Sequence, residues 1–320
     1  MAAVEANRQP RGTGFALRDP LAWDAFAGVT RSGELLGYAA VFLPEITGRD
    51  AFGALLGLAG ETRDLLLGTG IVPMASRETL LTAMGAATVH ERSGGRLLLG
   101  LGTGGTAPGA LDRLREEVRA LRALFAGETV ERKGERARLA LDPGSRVPIW
   151  IAALGPRAMR LAGEVADGVL LNWCPPERVA FALERIREGA EAAGRDPAGV
   201  TVAVYVRACV EQDEEAALQA LRGAAGEYAS YPAYARQLAD VGLGQEAETA
   251  AGARRAGRPD AVPERLVREV CVVGGRGAAF ERIEAYRHAG ADLPVVYPVP
   301  VGEPAPSILG TLLALAPRRS

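Results

Sequence analysis

The sequence predicts an α/β protein in which eight parallel strands and their helices form a closed (β/α)8 barrel, also called a TIM barrel. Apolar runs of strand length alternate eight times with stretches of helical spacing along the 320 residues. The runs are almost continuously apolar, which is typical of parallel strands covered on both faces. Eight repeats in a chain of this length favour a closed barrel, and an open doubly wound sheet is the remaining alternative.

Most of the predicted strands are apolar runs that end at a proline, a glycine or a polar residue. The carboxyl ends of parallel strands meet at one face of a barrel, where barrel active sites lie, so the residues that follow these runs should line the mouth. The predicted strands are Gly14–Leu17, Tyr38–Leu43, Leu65–Val72, Arg96–Leu101, Val147–Ala152, Val169–Leu171, Val200–Val210 and Leu293–Tyr297.

The clearest predicted helix is Leu111–Phe125, because leucine and valine recur through it at helical spacing. A short helix is predicted after Gly155-Pro156, with Met159, Leu161 and Ala162 on its apolar face. The other predicted helices are residues 20–36, 52–59, 80–89, 176–193, 214–225, 278–288 and 308–315.

Four segments fall outside this alternation, within what we expect to be a single domain of residues 1–320. Residues 1–12 are predicted to be a flexible tail, and residues 127–146 a polar connector. Residues 227–262 contain no evident strand, so they are interpreted as an insertion after the seventh strand. Residues 263–273 fit a helix and a strand equally well.

The composition excludes several classes of partner. A formal charge of −2 gives no electrostatic case for binding nucleic acid or an anionic membrane surface. No apolar run approaches the length of a membrane span, and the amino-terminal segment lacks the apolar core of a signal peptide. Three separated cysteines, Cys174, Cys209 and Cys271, indicate reduced thiols and not a disulfide framework, so we expect a cytoplasmic protein.

The stretch Val147–Asn172 contains the strongest candidate for an anion site. Gly155-Pro156 ends the fifth strand, and proline is favoured at the first position of a helix because its missing N–H would have no partner there. The free N–H groups and the positive dipole end of the next helix suit a phosphate. A plain loop is the alternative, because such turns are common at strand–helix junctions.

Few residues at the predicted mouth can transfer protons. His90 and His288 fall late in helices of the outer ring, where solvated surface roles are expected, so a Ser-His-Asp triad lacks its histidine. No histidine or cysteine cluster has the spacing of a metal site. Glu45 follows the second strand and is the candidate catalytic residue, although a helix-start role fits it equally. Asp167 is expected to fix the turn before Gly168. This pattern favours an enzyme whose cofactor carries the chemistry.

Three stretches together resemble the luciferase-like monooxygenase superfamily, and most closely its branch that uses the deazaflavin coenzyme F420, which includes the methylenetetrahydromethanopterin reductases. They are Leu65–Gly105, Ile151–Trp173 and, more loosely, GADLPVVYPVP near the end. Their order and spacing match, so the resemblance covers essentially the whole barrel. It implies a (β/α)8 barrel with an insertion after strand seven, usually dimeric.

The resemblance also implies where the cofactor binds. Gly70-Ile71 matches the position of a non-proline cis peptide that backs the central ring of the flavin or deazaflavin. Backbone amides of the loop after strand five would hold the phosphate, and the loop after strand four would lie beside the ring. Glu45 would lie near the cofactor's head. The implied cofactor-binding residues are Glu45, Gly70, Ile71, Gly102, Thr103, Gly104, Gly155, Pro156, Arg157, Ala158 and Asn172.

The chain departs from these relatives at positions that bear on the substrate. Glu78 stands where relatives commonly have a histidine, and Gly105 where the sugar-phosphate dehydrogenase branch has its catalytic glutamate. Pro73 and Met74 replace polar residues of the pterin reductases. The sequence therefore leaves the substrate open.

Three functions remain as hypotheses. The first is an oxidoreductase that transfers a hydride between reduced F420 and a small organic substrate, with no protein nucleophile. The second is an FMN-dependent monooxygenase that uses oxygen, and the third is a non-catalytic cofactor-binding barrel. We expect a homodimer that acts on a small molecule and has no metal, nucleic-acid or membrane partner.

Overall fold

A computed structural model describes residues 10–18, 21–105, 107–132, 134–211 and 213–317 of the chain. Most of the predicted tail, together with Pro20 at the predicted start of the first helix, lies outside the described residues. Within them, the alternation of strands and helices begins at Gly14 and ends at Ala314.

Eight parallel strands close into a barrel, as the sequence predicts, and the open doubly wound sheet is excluded. The strands of the described residues are β1 (Gly14–Ala16), β2 (Ala40–Leu43), β3 (Leu66–Thr69), β4 (Val72–Pro73), β5 (Leu97–Gly102), β6 (Thr129–Arg132), β7 (Glu135–Arg138), β8 (Ile149–Ala152), β9 (Gly168–Asn172), β10 (Thr201–Cys209), β11 (Cys271–Val273) and β12 (Leu293–Pro298). The barrel order is β1, β2, β3, β5, β8, β9, β10 and β12, and β12 pairs back onto β1. All eight strands therefore end at one mouth.

The predicted helices are all present in the described residues, with ends shifted by at most four residues. They are α1 (Trp23–Leu35), α2 (Ala51–Glu61), α3 (Thr79–Arg92), α4 (Ala110–Phe125), α5 (Pro156–Val165), α6 (Pro176–Ala192), α7 (Glu214–Ala229), α8 (Pro232–Ala239), α9 (Gly244–Arg255), α10 (Glu264–Val270), α11 (Arg276–His288) and α12 (Pro304–Ala314). Of these, α8, α9 and α10 belong to segments for which the sequence predicted no definite element.

The third predicted strand is two strands. The run Leu65–Val72 divides into β3 and β4, which flank a cis peptide bond between Gly70 and Ile71. Both pieces pair with β5, so the barrel wall continues across the break. The non-proline cis peptide that the resemblance implied is therefore present.

The connector predicted for residues 127–146 contains an antiparallel hairpin, which the sequence analysis missed. Val130 of β6 pairs with Ala137 of β7, and Val130 packs against the barrel's hydrophobic core. Arg132 is joined to Glu117 of α4 at 2.6 Å. The polarity that suggested a connector reflects the exposure of this two-stranded sheet on the outside of α4.

The insertion after the seventh barrel strand is helical. Its helices α8 and α9 follow α7, which extends four residues beyond its predicted end. Leu221, Leu238, Leu243 and Val267 belong to one buried cluster, so the insertion has a small apolar core of its own. The ambiguous segment 263–273 is a helix followed by a strand, α10 and then β11.

Large rings fill the inside of the barrel. Phe42, Trp150 and Tyr205 are buried there in one cluster. A β-carbon on Gly68 would overlap the Phe42 ring, and one on Gly168 would overlap the Trp150 ring, so these two glycines make room for the rings. The interior is a packed core and not a pore, which confines ligand space to the mouth.

His90 is buried, which corrects the predicted solvated surface role. The residue is 1% exposed, and its Nε2 lies 2.8 Å from the Ser145 hydroxyl. The segment before β8 covers this end of α3, and burial lowers the pKa of His90. His288 is exposed, as predicted.

Candidate functional site

A cavity of about 690 Å³ opens at the carboxyl ends of the barrel strands. That volume lies in the range of small-molecule and cofactor sites, roughly 300–1,000 Å³. Ten of the eleven predicted site residues line it, although they come from four separate loops. They are Gly70, Ile71, Gly102, Thr103, Gly104, Gly155, Pro156, Arg157, Ala158 and Asn172.

The cis peptide forms part of the cavity floor and is held from both sides. The Gly70 N–H donates to the Leu43 carbonyl at 2.8 Å, and the Glu45 N–H donates to the Ile71 carbonyl at 3.1 Å. The Tyr205 hydroxyl donates to the Gly70 carbonyl at 3.3 Å. Burial raises the pKa of Tyr205 well above 10, so its hydroxyl stays protonated.

The loop after β5 gives the cavity a flat glycine-rich wall. Gly104 has a φ of +69°, a conformation that favours glycine, and a β-carbon there would lie 2.9 Å from the Ala75 β-carbon. A β-carbon on Gly102 would lie 2.6 Å from Ile71 Cδ1. The backbone of this loop therefore approaches Ile71 closely, and a side chain at either glycine would fill that space.

The amino terminus of α5 points free backbone donors at the same cavity. Gly155 caps the helix without a side-chain hydrogen bond, and Pro156 occupies the first helical position. The next N–H groups, those of Arg157 and Ala158, have no partner within the helix, and the dipole adds partial positive charge. No atom lies within 4 Å of a β-carbon placed on Gly155, so the space beside the start of α5 is open at this residue. This arrangement suits an anion.

A series of hydrogen bonds, all donated in the same direction, lies along one side of the cavity. Arg207, near the end of β10, donates to the Asn172 side-chain oxygen. Because a guanidinium can only donate, the Asn172 amide must turn its nitrogen towards Tyr234, and that nitrogen donates to the Tyr234 oxygen at 2.7 Å. The Tyr234 hydrogen is then available to a group in the cavity. Burial raises the pKa of Tyr234 to about 12.

Arg207 is a buried cation that lies among aromatic faces. Its side chain is 4% exposed, and its guanidinium carbon lies 4.3 Å from the Tyr297 ring centre, 4.7 Å from that of Trp173 and 5.0 Å from that of Tyr228. Ring faces attract a cation in such positions. In the described part of the chain, no carboxylate lies within ion-pair distance of Arg207.

The insertion helix α8 brings Tyr234 to the mouth. Gln237, which is 3% exposed, donates to the carbonyls of Asn172 at 2.9 Å and Trp173 at 2.7 Å. These two bonds join α8 to the end of β9. Tyr234 and Arg236 of α8 then line the cavity beside Asn172.

Glu45 is the predicted site residue that does not line the cavity. Its carboxylate receives two bonds from Arg77, both at 2.7 Å, and a third from the Ala51 N–H at 3.1 Å at the start of α2. Arg77 also contacts Asp50. The Glu45 side chain therefore joins the second and third strand loops, and only its backbone reaches the cis peptide. Its catalytic role stays a prediction.

Sequence reasoning missed Tyr205, Tyr234 and Arg236 among the residues that line the cavity. Tyr205 could have been found from the alternation of β10, which sends Ala203, Tyr205 and Arg207 to the same face. The apolar residues between them concealed that alternation. Tyr234 and Arg236 lie in the insertion, where no strand end indicates the mouth.

Other site types have no support in the described residues. They contain no cluster of histidine, cysteine and acidic side chains that could hold a metal ion. The three cysteines are free and buried, and burial raises the pKa of each thiol to about 12. No helix among the described residues has the length and apolar character needed to cross a membrane.

The fold and the cavity define a (β/α)8 barrel with a ligand site at the carboxyl ends of its strands. The profile of the family described as luciferase-like monooxygenase matches residues 6–293. The chain belongs to the luciferase-like monooxygenase family, which confirms the resemblance that the sequence predicted.

A 5,10-methylenetetrahydromethanopterin reductase of Methanolobus tindarius is 36% identical to this chain over 221 residues, which make up 64% of this chain and 66% of that protein. The chain thus spans just under two thirds of that relative. The same enzyme of Methanopyrus kandleri is 31% identical to this chain over 191 residues, which make up 50% of this chain and 55% of that protein.

Solved structures show the same fold. The coenzyme F420-dependent tetrahydromethanopterin reductase from Methanopyrus kandleri superposes with a TM-score of 0.78, covering 96% of this chain and 98% of that chain at 23% identity. The oxygenating constituent of 3,6-diketocamphane monooxygenase from Pseudomonas putida, in complex with FMN, superposes with a TM-score of 0.70, covering 96% and 97% at 18% identity.

Proposed function

We propose that this protein is an oxidoreductase that transfers a hydride between reduced coenzyme F420 and a small organic substrate. The mouth cavity carries the proposal, because a cis-peptide floor, a glycine-rich wall and an uncapped helix amino terminus line one space. None of the lining residues is a histidine, cysteine or glutamate. The named pterin reductases among its relatives support a cofactor of the deazaflavin or flavin type.

The lining fits a planar ring that carries an anionic tail. The N–H groups of Arg157 and Ala158 would hold the phosphate, and the open space at Gly155 leaves room for it. The backbone at Gly70-Ile71 and at Gly102 would support the ring, because neither glycine places a side chain in that space. When bound, a reduced deazaflavin supplies the hydride, and the protein supplies binding, orientation and exclusion of water.

We propose Tyr234 as the hydrogen-bond donor to the substrate. Reduction of a C=O or C=N bond adds a hydride to carbon and a proton to the heteroatom, and a fixed donor stabilises the negative charge that develops there. Asn172 donates to the Tyr234 oxygen, so the Tyr234 hydrogen points elsewhere, and its pKa of about 12 keeps that hydrogen on oxygen at neutral pH. Tyr205 is already committed to the Gly70 carbonyl.

An FMN-dependent monooxygenase is the second candidate. The similarity in fold to an FMN-bound oxygenase favours it, and the α5 amino terminus would suit the phosphate of FMN equally. It would require oxygen as a co-substrate. Under the third hypothesis, a non-catalytic barrel, the protein would bind the cofactor without turnover.

A titration separates these candidates. Purified protein is titrated with F420 and with FMN while absorbance and fluorescence are followed. Reduced F420 is then supplied without oxygen to a panel of ketones, aldehydes, imines and enoates. The proposal is supported if F420 binds and if one class of the panel oxidises reduced F420. Tight FMN binding, no response to F420 and oxygen uptake with reduced FMN would establish the second candidate instead, and F420 binding without turnover on any class would favour the non-catalytic barrel.

We also propose that the enzyme is a homodimer that associates through α2 and α3. Leu56 of α2 and Leu81 and Met84 of α3 are 38%, 53% and 50% exposed on these two neighbouring helices. Burying such side chains against a second copy removes apolar surface from water. Light scattering should give the mass of a dimer, and Leu81→Glu with Met84→Glu should give a monomer that still binds F420.

The reducing cytoplasm is the compartment that we propose. Cys174, Cys209 and Cys271 are unpaired thiols, and free thiols persist where the environment is reducing. Their burial leaves them unreactive, so they serve as small core residues.

A further inference from the structure

An arginine-rich groove of about 940 Å³ runs along the outer face of α5. Arg157, Arg160, Leu161, Glu164 and Val165 of α5 line it at helical spacing. Its other arginines are Arg115, Arg119, Arg122, Arg146 and Arg195, from α4 and from the segments before β8 and after α6. Seven arginines thus face a groove in which only Glu164 and Glu188 are acidic.

The groove keeps an excess of positive charge after its internal ion pairs are counted. Asp112 and Asp167 do not line the groove, but they form ion pairs with arginines that do. Together with Glu164 and Glu188, they place four carboxylates beside seven guanidinium groups. Arg157 is exposed, and no carboxylate of the described residues lies within ion-pair distance of it. Arg119, which is 68% exposed, has its nearest carboxylate at 3.9 Å. These arginines can accept a further anion.

Arg157 lines both the groove and the mouth cavity. Its backbone N–H lies in the first turn of α5, where we propose that the cofactor phosphate binds, and the same residue borders the groove. An anionic chain that continues from the phosphate would therefore pass Arg157 and enter the groove. FMN ends at its phosphate, whereas F420 continues into a chain of glutamates.

Close backbone packing fixes the floor of the groove. A β-carbon on Gly163 would lie 2.7 Å from the Ala190 nitrogen, and one on Gly189 would lie 2.7 Å from the Arg160 carbonyl carbon, so α5 and α6 touch through their backbones. From Arg157 to Val165 the helix rises about 12 Å. That length accommodates roughly three or four extended residues.

We propose that this groove binds the oligoglutamate tail of F420 and thereby distinguishes the deazaflavin from FMN. The inference rests on the proposed function. Carboxylates of the tail replace water around Arg119 and Arg157, which can each offer a bidentate contact. Arg160 contacts Glu188 at 2.7 Å and adds a further positive charge beside the tail. Because the groove is open to solvent, the contribution should be screened by salt.

The test compares three probes: F420 with a tail of several glutamates, F420 without glutamates, and FMN. Dissociation constants are measured by fluorescence at low and at high salt. At low salt we expect the tailed form to bind about five- to tenfold more tightly than the tailless form, and high salt should remove most of that preference.

A charge-matched pair of variants assigns the preference to the groove. Arg119→Gln with Arg160→Gln should reduce the preference, because only Arg157 of the three proposed contacts remains. It should leave the affinity for tailless F420 unchanged, because both side chains lie outside the mouth cavity. Arg31→Gln with Arg258→Gln removes the same charge from exposed ion pairs elsewhere and should keep the preference.

Equal affinities for tailed and tailless F420 in the wild type, or a preference of undiminished size in Arg119→Gln/Arg160→Gln, overturn the groove proposal while the proposed function stands. Failure of every form of F420 to bind refutes the proposed function and the groove with it.

Discussion

Replacing Gly70 with alanine should destabilise the protein through the Tyr205 side chain. A β-carbon at residue 70 would overlap the Tyr205 hydroxyl oxygen and would lie 2.9 Å from Tyr205 Cζ and 3.1 Å from Phe42 Cβ. Tyr205 is 5% exposed and Phe42 is 0% exposed, so neither ring can move into solvent. Adding a methyl group to a packed core costs about 1–3 kcal/mol, and we expect the upper half of that range for Gly70→Ala.

A second substitution tests whether Tyr205 is the cause. Tyr205→Phe alone removes a donor from the buried Gly70 carbonyl and should cost about 1 kcal/mol. In the Gly70→Ala background it also removes the overlapping oxygen, so the double variant should be at least as stable as Gly70→Ala alone. The expected coupling free energy is about 1–2 kcal/mol in favour of the double variant.

Urea unfolding followed by circular dichroism measures all four free energies of unfolding. Gly48→Ala is the control, because no atom lies within 4 Å of a β-carbon at that exposed position, and it should change the stability by less than about 0.5 kcal/mol. Additive losses from Gly70→Ala and Tyr205→Phe would refute the reasoning, because they would mean that the added methyl group does not meet the Tyr205 hydroxyl.

Three further predictions follow from the site and the core. Gly155→Ala should leave the fold intact but weaken F420 binding about tenfold or more in fluorescence titrations, since its methyl group enters the open space at the start of α5, where we propose that the phosphate binds. Unchanged affinity would mean that the phosphate binds elsewhere. Tyr234→Phe and Asn172→Asp should each lower kcat about 10- to 100-fold with an accepted substrate. The first variant removes the donor, and the second places a carboxylate beside Tyr234 that accepts the Tyr234 hydrogen and so turns it away from the cavity. Full activity of Asn172→Asp would contradict the proposed direction of the Arg207–Asn172–Tyr234 hydrogen bonds. Because burial lowers the pKa of His90, the folded protein binds its proton less readily than the unfolded chain, so stability should fall as the pH drops below about 6.5. In His90→Gln the free energy of unfolding, measured with urea at several pH values, should fall less as the pH drops. A pH profile identical to that of the wild type would contradict the role of His90.

The sequence predicted the barrel because the barrel depends on local patterns, whereas the ten residues of the cavity were implied by the family resemblance. Apolar runs mark the strands, and the glycines after β5 and before α5 mark the loops that follow them. In a closed parallel barrel all such loops meet at one mouth, so the topology brings distant glycines together without further information.

Long-range side-chain pairing could not be predicted in the same way. Glu45 stands directly after a strand, but nothing in its position reveals that Arg77 binds its carboxylate 32 residues later. His90 likewise has helical surroundings in sequence, and its burial depends on Ser145, which lies 55 residues away. Each of these partners is set by tertiary packing, for which a single sequence carries no pattern.

The two ends of the proposed cofactor site use the same helix in different ways. At its amino terminus α5 offers backbone donors, which any residue other than proline could supply at positions 157 and 158. A phosphate site there therefore carries little sequence signal beyond Gly155-Pro156. On its outer face α5 offers side chains, and other residues can replace Arg157 and Arg160 without altering the helix. Under this proposal, recognition of the phosphate would depend on the fold itself, whereas recognition of a tail beyond it would depend on a few surface arginines. Members of one family can thus share the first site while differing in which cofactor they select.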